Sequence, residues 1–153
     1  MDALSTRINS LPASATLAMA AKARELKNKG IDIIGLSLGE PDFNTPEFIK
    51  EAAINAVNEN WNSYSPVDGY ADLKEAICEK FKRDNNLDYK PSQVVVSTGA
   101  KQSIANLCLV LLDPGDEVLL PAPYWVSYSA IATLAEATST IIPSTIKNDF
   151  KIT

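Results

Sequence analysis

A chain of 153 residues with 46% hydrophobic and 22% charged side chains has the make-up of an ordinary globular protein, long enough to bury about two-thirds of its unfolded surface. A formal charge of −5 argues against a nucleic-acid or anionic-membrane partner, so any anion must be captured locally. There is no histidine, which excludes Ser-His-Asp, Cys-His and His-metal chemistry within these residues. Cys78 and Cys108 have no metal-ligand spacing and read as buried free thiols.

The opening MDALSTRINS carries an early acid and no apolar core region, so no secretory signal is expected. The longest apolar run, LCLVLL, is too short to cross a bilayer, and the expected compartment is the cytoplasm. A loose arm leads into a helix over 13–29, rich in alanine, with Gly30 as its C-terminal cap. IDIIGLSLGEPDF (31–43) begins as a short buried strand and breaks at Gly39, because Pro41 continues neither regular pattern.

Thr45 as N-cap and Pro46 as first helical residue open a helix whose apolar face is Phe48, Ile49, Ala52, Ala53, Ala56 and Val57. The loop WNSYSPVDGY leads to a second amphipathic helix, about Tyr70 to Asn85, with Leu73, Ile77, Cys78 and Phe81 on one side. An alternation then follows: strand VVVS, helix 101–112, the DPGD turn, strand EVLLPA, helix 126–136 and strand TSTIIP. The order predicts an α/β fold with a parallel sheet flanked by helices, and three strands are fewer than such a sheet normally carries.

Ligands of open parallel sheets bind beyond the carboxyl ends of the strands. Gly99 and Ala100 lie there, opening the helix after VVVST. Free backbone N–H groups and the helix dipole attract an anion at such a point, Ser97, Thr98 and Ser103 offer hydroxyls, and Lys101 supplies a cation. A helix start that needs small residues produces the same pattern, and the spacing of a Walker A loop is missing. The next strand exits into PAPYWVSY, bringing Trp125 to the same edge as either a core residue or a platform for a planar ring. A ligand with both a phosphate and a ring satisfies both features; pyridoxal phosphate and nucleotides each qualify.

The segments LSLGEPDFNTP, YSPVDGYADLKEAI, STGAKQSIANL and LLDPGDEVLLPAPYWVSY, in this order, resemble the N-terminal part of the fold-type I, class I pyridoxal-phosphate aminotransferases, with the nearest likeness to bacterial aspartate aminotransferases. The resemblance runs over essentially the whole chain. It implies residues 1–44 as arm and small-domain segment, residues 45–153 as the first part of a large cofactor-binding domain, and a homodimer acting on an amino acid and a 2-oxo acid. By the same resemblance Gly39 meets the substrate α-carboxylate through its backbone, Gly99, Ala100 and Lys101 lie at the cofactor phosphate, and Trp125 stacks on the pyridine ring. Tyr64 matches a tyrosine that reaches across the dimer to the phosphate, and Thr16 and Lys101 match residues associated with the distal carboxylate of dicarboxylic substrates.

One departure is the arm, where LPASAT lacks the basic residue that close relatives often carry. No catalytic residue is assigned, because the family's cofactor-holding lysine, the aspartate at the pyridine nitrogen and the carboxylate-binding arginine belong to later segments. The 153 residues alone are therefore expected to be inactive. Rival readings keep the cofactor but change the chemistry to carbon–sulfur lysis, or remove catalysis and leave a short cofactor-binding or partner-subunit module. A nucleotide-binding domain is disfavoured, since no glycine-rich dinucleotide fingerprint follows any strand.

Overall fold

The structure, a computed structural model, describes residues 3–36 and 38–152. The chain divides into two units, one formed by Met1–Leu38 with Thr98–Thr153 and the other by Gly39–Ser97.

The first unit is organised by the turn Asp113–Asp116. Gly115 takes a left-handed φ of +105°, the Asp116 N–H donates to the Asp113 carbonyl at 3.1 Å, and the Asp116 carboxylate accepts from the Asp113 N–H at 2.8 Å. The turn separates α5 (Ala100–Leu111) from β1 (Glu117–Pro121), and α6 (Ser127–Leu134) then carries the chain to β2 (Thr138–Ile142). The two strands pair in parallel, from Glu117 opposite Thr138 to Pro121 opposite Ile142. The ladder continues at both ends, where Thr138 N–H donates to the Asp116 carbonyl and Ala122 N–H to the Ile142 carbonyl, each at 2.9 Å. This is the strand–helix–strand crossover expected of parallel pairing.

Helix α6 is the hub of the unit, packing against α5, both strands and the short helix α1 (Thr6–Asn9). The buried core gathers around it: Leu120, Ile131, Ala132, Ala135 and Ala137, with Ala132 fully enclosed. The arm is thus not uniformly loose, because Ser5 caps α1 by accepting from the Ile8 N–H and Arg7 approaches Glu136 at 3.8 Å. Helix α2 (Ala15–Asn28) begins behind the Ser14 cap, whose hydroxyl accepts from the Leu17 N–H at 3.4 Å. Gly30, at φ +77°, closes its end with an N–H to the Lys27 carbonyl.

The second unit contains α3 (Glu47–Asn58) and α4 (Ala71–Asn85). Pro46, not Thr45, is the N-cap of α3, and no side chain caps it. The ψ of 143° at Pro46 is extended, so the helix starts one residue later than the sequence predicts. Asn86 ends α4 in the left-handed region at φ 55°, a conformation Asn tolerates better than most side chains. Trp61 meets Tyr70 edge-on at 5.6 Å, and Phe81 meets Tyr89 at 5.9 Å. A cleft of about 580 Å³ runs along Ile77, Phe81, Leu87, Tyr89 and residues 93–97.

Two expected strands do not form ladders. Val94 is extended at φ −113°, ψ 129°, yet among the described residues 94–97 pair with no strand; Val96 N–H donates to the Asp68 carbonyl in the preceding loop instead. Among the described residues, 31–36 likewise pair with no strand, Ile31 N–H returning to the Leu26 carbonyl, and Ile34 is 88% exposed where the sequence predicts a buried strand. Alternation gives a segment its extended preference, but a strand needs a neighbour's N–H and C=O groups as well.

The expected core is also smaller than two-thirds burial requires. The chain exposes 12822 Å², whereas two compact bodies of this combined length would expose about 9,000 Å². Apolar side chains contribute to the excess: Phe48, Ile54 and Val57 on α3 and Leu107, Leu109, Val110 and Leu111 on α5 are exposed.

Candidate functional site

Thr98–Gly99–Ala100 turns an extended segment into α5. Gly99 is the N-cap at φ 84°, ψ 160°, a combination essentially confined to glycine. The N–H groups of Gln102 and Ser103 both return to the Gly99 carbonyl, and the Gln102 side chain accepts from the Thr98 N–H. Helix geometry leaves the amides of Ala100 and Lys101 without intrahelical acceptors, and no side chain caps this end. The first turn therefore presents donors and the positive end of a helix dipole to any incoming anion. A Cβ built on Gly99 meets no heavy atom within 4 Å, so the approach is open.

Trp125 arrives from the loop after β1, beyond the cis Ala122–Pro123 peptide. It is not a core residue: 45% of it is exposed. The Lys101 ammonium lies 5.6 Å from the centre of its ring, within cation–π range. At the ring's edge the indole N–H donates to the Ser127 hydroxyl at 2.7 Å. The cation, the planar ring and the open helix start, which the sequence brings near one edge only by topology, thus meet within one unit. Ser127 was not singled out from the sequence; a hydroxyl two residues beyond an exposed tryptophan is the signal that points to it.

Thr16 occupies the first turn of α2, half-buried, and capping there falls to Ser14. Immediately before it, Pro12–Ala15 line a cleft of about 590 Å³ that also borders Tyr124, Val126 and Ser127.

Gly39 and Tyr64 belong to the second unit. A Cβ on Gly39 would meet nothing within 4 Å, and its φ lies outside the left-handed region; neither the local backbone nor the local packing demands glycine there. Tyr64 is fully exposed, at 107% of its reference area, so it does not cover the loop around it.

The carboxylates whose titration is displaced belong to ion pairs that include none of these residues. Lys74 pairs with Asp68 and holds its carboxyl below the ordinary aspartate value, while Lys29 and Lys22 do the same for Glu25, and Arg83 and Lys80 for Asp84. Among the described residues no cluster of His, Cys, Asp or Glu could hold a metal ion, and no helix is long and apolar enough to cross a membrane.

A family model described as "Aminotransferase class I and II" matches residues 31–153. A relative from Rickettsia felis named "Probable aspartate/prephenate aminotransferase" is 50% identical over 152 residues, covering 99% of this chain and 37% of the relative. The "Aspartate aminotransferase" of Bacillus subtilis is 50% identical over 149 residues, or 97% of this chain and 38% of that protein. Among solved structures, aspartate aminotransferase from Rhizobium meliloti superposes with a TM-score of 0.92 at 42% identity, over 98% of this chain and 38% of that one. Aspartate aminotransferase from Thermus thermophilus with maleate gives the same TM-score and identity, over 98% of this chain and 39% of that one. The chain spans less than two-fifths of the length of these relatives, and what it matches is their N-terminal part.

Proposed function

The chain belongs to the class I and II aminotransferases, which are pyridoxal-phosphate-dependent enzymes, and from that premise we propose that it is the N-terminal part of an aspartate-type member. The whole protein would move an amino group from a dicarboxylic amino acid such as aspartate to a 2-oxo acid such as 2-oxoglutarate. The observation that carries the reading is the Lys101 ammonium facing the half-exposed Trp125 ring, with the open, glycine-led start of α5 contiguous with that lysine.

That donor set fits the cofactor. Its phosphate would be held by the amides of Ala100 and Lys101, the Lys101 ammonium and the close backbone approach that Gly99 permits, and its ring would lie on Trp125. When bound, the cofactor supplies an electron sink for the carbanion formed at the substrate α-carbon. The residues of this chain bind and orient. Gly39 would offer its backbone N–H to the substrate α-carboxylate, a role favoured by the absence of any conformational need for glycine there. Thr16 and Lys101 would serve the distal carboxylate, and Tyr64, unused by its own unit, would reach the phosphate bound in a second copy.

The proton-transferring lysine is none of these, because Lys101 belongs to the phosphate end. Residues 1–153 alone would therefore not turn over. A homodimer and a cytoplasmic location belong to the same reading. Support for a dicarboxylic substrate comes from the aspartate named in the relatives and the maleate in the Thermus thermophilus structure. A second substrate is favoured by a specific observation: several relatives are named for prephenate as well as aspartate.

The test is direct. The intact protein, loaded with pyridoxal phosphate, is given aspartate with either 2-oxoglutarate or prephenate, and oxaloacetate is measured. Transfer to either acceptor supports the reading. Release of pyruvate from a cysteine conjugate, with no transfer from aspartate, would replace it by carbon–sulfur lysis.

A further inference from the structure

We propose that Ser127 is a positioning residue: its hydroxyl accepts the indole N–H of Trp125 and sets the plane of the ring that faces Lys101. The proposal rests on the reading that Trp125 carries the cofactor ring and adds a residue to it.

A tryptophan side chain turns about a broad second torsion. In a core, packing on both faces stops that rotation. The packing of the described residues leaves Trp125 45% exposed, so that packing alone does not stop it. Its one polar handle is the indole N–H, which can only donate, and the bond to Ser127 Oγ is 2.7 Å long. Ser127 is a firm point of attachment, since it opens α6, whose Ile131 and Ala132 are among the most buried residues of the unit. The bond thus refers the ring's orientation to the buried strand–helix–strand core, although the ring itself sits in an exposed loop.

The ordinary use of a hydroxyl at a helix start is capping. Here Val126, not Ser127, holds the cap position, and no side chain makes a capping bond. The Ser127 hydroxyl is therefore free for the indole. The consequence reaches Lys101: a cation is attracted to the ring's face and not to its edge, and rotation would turn an edge toward the ammonium now 5.6 Å from the ring centre. Without the Ser127 hydroxyl both the flat platform and the position of the phosphate-end cation become less defined.

The experiment uses the intact protein labelled with ¹⁵N-tryptophan, the Trp125 indole resonance being identified by its loss in Trp125→Phe. In Ser127→Ala the resonance should move upfield and its N–H exchange faster with solvent. Ser127→Thr should restore both; Ser127→Val, the same shape without the hydroxyl, should not. Pyridoxal phosphate affinity should fall about fivefold in Ala and Val and recover in Thr, as expected for one lost hydrogen bond. An unmoved resonance in Ser127→Ala, or equal behaviour of Thr and Val, overturns the proposal. A moved resonance with unchanged affinity overturns its positioning role. If Trp125→Ala itself leaves affinity unchanged, the stacking reading fails, and the resonance shows separately whether the hydrogen bond stands.

Discussion

Replacing Gly99 by alanine isolates one physical cause. The added methyl group meets no heavy atom within 4 Å, so the substitution creates no clash with a neighbour. The cost lies in the backbone, whose φ of 84° and ψ of 160° fall in a region essentially closed to any residue with a Cβ, at about 1–3 kcal/mol. Gly39 is the internal control: its methyl group also finds open space, but its φ is not positive, and alanine there should be neutral or stabilising by about 0.4–1 kcal/mol through the unfolded chain. Gly69 is the opposite limit, with φ +100° and Val96 Cγ2 at 2.6 Å and Cβ at 2.8 Å from the new methyl group. A β-branched side chain has little freedom to yield, so strain and overcrowding combine at that site. Urea titration of the three variants gives the comparison. With a slope of about 2 kcal/mol per molar, a loss of about 2 kcal/mol in Gly99→Ala lowers the midpoint by about 1 M, Gly69→Ala lowers it further, and Gly39→Ala leaves it in place or raises it. A Gly99→Ala midpoint equal to that of Gly39→Ala would refute the argument from backbone conformation.

Lys101→Gln should weaken pyridoxal phosphate binding by about tenfold, the scale of a lost charge-assisted hydrogen bond, without moving the urea midpoint; titration of the cofactor absorbance measures it. Gly39→Ala should raise KM for the amino acid while the urea midpoint holds, since a methyl group beside the backbone N–H obstructs a carboxylate but strains nothing; steady-state kinetics of the intact protein checks this. Asp68 provides the pH dependence. The Lys74 ammonium beside it depresses its carboxyl from the ordinary 3.8, so the folded chain binds fewer protons than the unfolded chain as pH falls through that value. The stabilisation is full above the ordinary value and is lost as pH drops toward the lower folded value. Urea midpoints between pH 6 and pH 3 should show a steeper acid decline in the natural chain than in Asp68→Asn, a comparison made at about constant ionic strength because the pair is partly exposed.

The helices from α2 onward, their order and the strand–helix–strand run from residue 100 were legible in the sequence because local rules govern them, whereas α1 in the arm was not. Proline and glycine punctuation set the turn at Asp113–Asp116, small residues opened α5, and 3.6-residue periodicity marked α3 and α4, all within a residue or two of the observed boundaries. The family was legible too, since four ordered segments around GEPDF, DGYADL, STGAKQ and PAPYW carry it. Residues 31–36 and 94–97 were not, because a strand is a relation between two segments and these have no partner among the described residues. The same limit applied to burial: an apolar stripe on α3 identifies the face that seeks cover, but not what covers it.

Sequence alone determined which chemical groups this protein has available: no histidine, a glycine at a helix start, a lysine two residues later, and a tryptophan one crossover away. Tertiary structure alone decided how they meet. It placed the Lys101 ammonium over the Trp125 ring, pinned that ring's edge to Ser127, and showed that Gly99 is held by its backbone angles whereas Gly39 is not. The physical reason is that composition and periodicity are properties of one segment, whereas the meeting of Lys101 with Trp125 joins groups distant in the chain, and a ring's hydrogen bond or a backbone dihedral is a matter of geometry that residue type does not state.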